Sequence, residues 1–214
     1  MNNMEKKYTF LTSIPGGILG IISILIMTIL GTLSYIYYPS DEFKLFSYVV
    51  SELGVGEGAL FFNLGLISSG IFVIAFFFKL NITFLENQSE RLRVSTLILG
   101  LISSSSYSLL GFFPLNIVVH MILVFNIFFI GMINIFILLF IILQEEKSFG
   151  RIILIFVSTA YIISILSYFF TLLFYYDIHS QFEWAMVFLF ELWILTHSAY
   201  LLYLNIMNRK KEKI

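Results

Sequence analysis

The side chains able to do chemistry in this chain are few and clustered. From Ser47 to Gly65 the stretch SYVVSELGVGEGALFFNLG holds Ser51, Glu52, Glu57 and Asn63 at the threshold of an apolar run. Further on come Asn116 and His120, four residues apart and so on one face of a helix, and then Glu191, set inside AMVFLFELWILT. An imidazole and a carboxyl flanked by amides and a hydroxyl are the parts of a general acid–base site. His120 would be the base or ligand, Glu191 the buried acid, and Glu52 and Asn63 the orienting groups. His120 and Glu191 are therefore the catalytic candidates. Ser51, Glu52, Asn63 and Asn116 are the ligand-binding candidates. Glu191 is the sharpest signal, because a carboxylate at the middle of a bilayer costs about 2.5 to 3.5 kcal/mol and must find a donor or keep its proton. His120 is also explained by a hydrogen bond to a neighbouring helix, and the Ser51–Glu57 group by capping of a helix end.

Other chemistries have no foothold. With no cysteine there is neither a disulfide nor a thiolate ligand or nucleophile. His120, His179 and His197 fall at unlike depths, so no metal is predicted, and no cofactor or catalytic fingerprint (HExxH, GxSxG, P-loop or dinucleotide-binding) is present. The serine run Ser103–Ser106, with Ser108, reads as hydroxyls bonded to their own helix and as a packing face, not as a nucleophile. The terminal RKKEK reads as a topology signal, and nothing points to nucleic acid.

The elements that would position these groups are dictated by composition. Of the residues, 59% are hydrophobic and 12% charged, against about a quarter charged in soluble proteins, which indicates a membrane protein. Lipid offers the backbone no hydrogen-bond partner, so the fold class is all-α. Six apolar runs reach the roughly 20 residues that a bilayer requires, at 14–38, 58–80, 94–113, 116–143, 152–176 and 184–206. Pro114 and Asn116 divide the third from the fourth as a tight turn. Alternating topology puts all of the 12 Lys and Arg residues except Lys44 on one side, so both termini are expected in the cytoplasm and Glu52, Glu57, Asp177 and Glu183 outside. The sequons at Asn81 and Asn87 then lie inside and are discounted. Tyr37, Tyr38, Tyr175, Tyr176 and Trp184 would form an outer aromatic belt, and Tyr200 and Tyr203 an inner one. Residues 1–214 read as one six-helix domain in the cell membrane. At about 1.5 Å per residue, Asn63 and His120 come roughly 8 to 10 Å below the outer surface and Glu191 roughly 12 Å. Pairs such as Gly16 and Gly20, Gly65 and Ser69, or Gly100 and Ser104 mark close helix packing.

The segments SELG at 51–54, FNLGL at 62–66 with Gly70, and GFFP at 111–114 with His120 beyond it give the chain a family likeness. It resembles the prokaryotic six-helix membrane family catalogued as domain of unknown function 998, over nearly the whole chain in the number and order of spans. Glu52 stands where that pattern has an aspartate. The first outer loop of the family is in turn similar to that of eukaryotic six-helix proteins connected with autophagy and with lipid remodelling of glycolipid anchors, so the resemblance implies work on lipids.

Three functions fit these residues. One is an outward pocket in which Glu52 folds back over Asn63, His120 and Glu191 to bind, or modify, a lipid or amphiphile. Another is a proton-linked transporter with Glu191 and His197 along its path. The third is a non-catalytic factor that packs against a membrane protein partner, or against its own copy, through small-residue faces.

Overall fold

The computed structural model describes residues 14–38, 44–114, 117–144 and 149–211. Among them there is no strand, and six long helices account for most of the chain: α1 (Gly16–Tyr37), α2 (Ala59–Phe84), α3 (Glu90–Leu110), α4 (Ile117–Gln144), α5 (Phe149–Phe174) and α6 (His179–Lys211). Five of them, all but α3, are long and apolar enough to cross a bilayer, which makes this a multi-pass helical membrane protein. Glu90, Arg91 and Arg93 in its first turn and its serine run make α3 less apolar than the others. Its buried face is Thr96, Gly100, Ser103, Ser104, Ser106 and Ser108, so its polar groups turn toward the protein.

The helices close into a ring. Each packs on its neighbours in the chain, and α6 packs back on α1. Small residues set the spacing. A Cβ on Gly70 of α2 would sit 2.7 Å from the Cα of Ser108 in α3, so only glycine allows the two backbones to come so close. The serines of α3 do more than bond within their helix: Ser104 Oγ donates to the Gly100 carbonyl of its own helix, but Ser108 Oγ reaches the Ile67 carbonyl of α2 at 3.0 Å and Ser103 Oγ the Ile127 carbonyl of α4 at 2.9 Å. The latter carbonyl belongs to a π-helical turn, Asn126–Ile130, that divides α4 into two α-helical halves. A π turn weakens the regular ladder, and the Ser103 hydroxyl supplies a donor there.

The halves of α4 pack differently. Gly131–Gln144 lies against both α3 and α5, whereas Ile117–Phe125 leans on α3. At the end of the ring where α1 begins and α6 finishes, a continuous core of Phe76, Phe77, Leu80, Trp193 and Ile194 fills the interior. Trp193 is fully buried and donates from Nε1 to Ser158 Oγ of α5 at 3.0 Å. Large apolar side chains such as Ile36, Ile71, Phe140 and Leu173 cover the outward faces, as expected where the surroundings are lipid.

Candidate functional site

At the opposite end the interior is hollow, and a short segment of chain lies over it. Residues 44–58 join α1 to α2 and contain one 3₁₀ helix, Val50–Gly54. The segment is tied down by side chains from three helices. Ser34 Oγ of α1 donates to the Leu53 carbonyl at 3.2 Å, and Asn63 Nδ2 of α2 to the Gly54 carbonyl at 3.0 Å. From α6, Ser180 Oγ donates to the Phe46 carbonyl at 3.0 Å, Trp184 Nε1 donates to the Tyr48 carbonyl at 2.9 Å, and Glu183 Oε1 accepts the Ser51 N–H at 3.3 Å. Phe46 has φ 65°, the left-handed region that a bulky side chain rarely adopts, and its ring meets the edge of Trp184 at 5.7 Å. These ties explain the polar residues of SYVVSELGVGEGALFFNLG in part. Asn63 holds the 3₁₀ turn from below, while Glu183, which also faces the Val50 N–H, meets its first backbone amides.

Capping of α2 does not account for the carboxylates. The Gly58 N-cap of α2 has no side-chain hydrogen bond and its first turn has no acid, and Glu57 points outward, exposed. A Cβ on Gly58 would lie 2.8 Å from Ser34 Cα, so the chain turns into α2 by passing close over α1.

Beneath the segment is a cavity of about 350 Å³. All six helices line it. Glu52 comes from the 3₁₀ turn, Asn63 from α2, Tyr107 from α3, His120 from α4, Tyr168 from α5, and Glu183 and Glu191 from α6, with Met27 of α1 and a largely aliphatic and aromatic wall between them. Asn63 Oδ1 and His120 Nδ1 are buried and have no hydrogen-bond partner. The His120 ring lies beside the Phe113 carbonyl. Tyr107 is half-buried, accepts from Ser69 Oγ at 3.4 Å, and is within electrostatic reach of Glu191, as Glu52 is of Glu183. The cavity thus offers several acceptors around one space, together with two imidazoles, those of His120 and His179. Among the described residues no three His, Asp or Glu side chains come together in the way a metal ion requires.

Of the residues singled out from the sequence, Ser51, Glu52, Asn63, His120 and Glu191 all line this cavity. Asn116 lies outside the described residues. On an unbroken helical wheel Asn134 would fall about 40° from His120, but it is buried elsewhere, its amide Nδ2 2.9 Å from a Cβ built on Gly100, and the intervening π turn, with its i to i+5 bonding, shifts the helical register between the two residues. His197 is buried in the packed half, with Nδ1 2.9 Å from the Trp193 carbonyl and its ring 4.2 Å from the indole. It does not line the cavity. Trp184 and Tyr200 are buried too and serve no belt: Trp184 holds the covering segment, and Tyr200 accepts from Arg151 Nε at 3.1 Å.

Sequence reasoning missed Glu183, Tyr107 and Tyr168. A signal for Glu183 did exist: it precedes Glu191 by eight residues, a spacing that returns to the same stripe of a helix. Tyr107 and Tyr168 gave none, since tyrosines in apolar spans are common and only packing shows which face inward.

The family model for DUF998, described as a protein of unknown function, matches residues 18–200. The chain belongs to the DUF998 family. The match runs from early α1 to late α6 and takes in every residue that lines the cavity of this DUF998 protein. No curated protein and no solved structure matches the chain.

Proposed function

We propose that this protein crosses the cell membrane six times, with both termini in the cytoplasm, and binds the polar head of a membrane lipid or similar amphiphile in the cavity, which opens toward the outer leaflet. The observation that supports this reading is the company the polar groups keep. Glu52, Asn63, His120 and Glu191 come from four separate parts of the chain, yet all face one hollow whose remaining wall is largely apolar. Ligand sites of about 300 to 1,000 Å³ with an apolar lining and a few convergent polar groups have this composition, and about 350 Å³ suits a headgroup with the start of its tail. Ionisable residues within the span of a membrane protein are retained mostly where they bind or relay something. In this reading His120 and Glu191 contact the headgroup, and Ser51, Glu52 and Asn63 orient it. The lysine-rich ends support the orientation.

The test is to replace Glu52, His120 and Glu191 singly by alanine, then to compare detergent stability and, by mass spectrometry, the lipid that copurifies. The expected result is folded protein with a depleted or altered lipid profile for each variant. Three stable variants carrying the same lipid as the parent would show that the cavity binds none.

A further inference from the structure

We infer that the occupant is an amphiphile with a cationic, ammonium-type headgroup, and that it reaches the cavity sideways, through a gap between α5 and the Ile117–Phe125 half of α4. This rests on the binding function proposed above and narrows it.

The charge argument starts from what the lining lacks. Glu52, Glu183 and Glu191 border the cavity together with the imidazoles of His120 and His179, and among the described residues no Lys or Arg does. Glu183 engages the amides of the 3₁₀ turn, and Glu52 is within electrostatic reach of it. Glu52 and Glu183 repel each other when ionised, and Glu191 stands about two turns further along α6, so a cation that enters the space is drawn by the pair and by Glu191 below it. A second observation points the same way. The oxygen Asn63 Oδ1, buried without a partner, can only accept a hydrogen bond. Carboxylates and this amide oxygen together call for a donor, and an ammonium group supplies both the N–H and the charge. Tyr107, Tyr168 and Phe190, also in the wall, are rings of the kind that attract a cation. A phosphate or sulfate head would add negative charge to negative charge. A sugar head would donate hydrogen bonds without relieving the repulsion.

The route follows from how the helices around the cavity pack. The segment over the cavity is bonded to α1, α2 and α6 through Ser34, Asn63, Ser180, Glu183 and Trp184. On the other side α5 packs against Gly131–Gln144 of α4, while Ile117–Phe125 leans toward α3. Ile117 and Met121 line the cavity and are also 79% and 46% exposed, so these side chains touch the interior and the surroundings at once. Tyr168 and Leu172 of α5 form the facing jamb. A tail can lie across this gap in lipid while the head stays inside.

The full-length protein in maltoside micelles would be titrated at neutral pH with three probes of equal tail length: protonated octadecylamine, octadecyl glucoside and octadecyl sulfate, with complexes counted by native mass spectrometry. Octadecylamine is expected to bind about tenfold or more tightly than the glucoside, and the sulfate least. Glu183→Gln and Glu191→Gln, each keeping an acceptor oxygen, should each weaken the amine about tenfold and the glucoside much less. Because the chain has no cysteine, Met121→Cys/Leu172→Cys joined by a bismaleimide isolates the route: the cross-linked protein should take up the amine several-fold more slowly than the same variant before joining. Equal binding of all three probes, or of the amine by both glutamine variants, overturns the cationic occupant but leaves a lipid cavity standing. Unchanged uptake after cross-linking overturns the route. If no probe binds the parent and the alanine variants keep its lipid profile, the binding function itself falls. The comparison of probes on the parent needs no variant to fold.

Discussion

Glu191 and His197 are six residues apart in one helix, and their surroundings assign them opposite work. Glu191 is half-buried at the cavity, where a ligand can reach it. His197 is enclosed by Trp193, Phe84 and backbone, and its Nε2 is buried without a partner. An orphaned buried nitrogen costs about 1 to 3 kcal/mol, whereas an apolar group of similar shape carries no such penalty. His197→Met is therefore expected to leave thermal stability in detergent unchanged or to raise it by about 1 kcal/mol, with the copurifying lipid unaltered. A loss of lipid in that variant would join His197 to the site. Both residues were visible in the sequence as polar groups inside an apolar run. Which of them faces a cavity was not, because position along one helix says nothing of what the neighbouring helices bring against it.

Between helices, the deciding quantity is how closely two backbones approach. Gly70 and Gly31 are both helical glycines, but a Cβ at Gly70 would press on Ser108 Cα at 2.7 Å, while at Gly31 it would meet only the end of Met27 at 3.8 Å. Gly70→Ala is expected to destabilise by about 1 to 3 kcal/mol as α2 and α3 are forced apart. Gly31→Ala should be neutral or stabilise by up to about 1 kcal/mol, since alanine favours the helix. Thermal melts of the two variants in one detergent check the pair, and equal melting points would show that the Gly70 contact is not tight. The small-residue spacings marked such faces in advance. The π turn of α4 was not legible: NIFFI at 126–130 is as apolar as its flanks, and the turn is known only from the packing around it, including the hydroxyl of Ser103 on Ile127.

For the molecule as a whole, the beginning of α1 lies beside Leu201 late in α6. If α3 crosses with the others, Ser47 and Asn87 lie on opposite faces of the membrane. Both are exposed, and the absence of native cysteine makes single replacements clean reporters. A membrane-impermeant maleimide added to intact cells should label Ser47→Cys and spare Asn87→Cys until the cells are opened. The reverse pattern would invert the bundle, and labelling of both would show that α3 does not cross.

The sequence by itself determined the all-α membrane class, the family and the approximate place of every helix, because apolar length in lipid leaves the backbone no alternative to helix. It also showed which ionisable groups were out of place in such surroundings. Only the tertiary structure decided that Glu183 and two tyrosines line one cavity with Glu52, Asn63, His120 and Glu191, that His197 and Asn134 do not, and that α4 is interrupted by a π turn. The reason is physical. Helix formation and insertion depend on each segment's own residues, whereas a cavity exists only where six separately formed surfaces fail to fill the space between them.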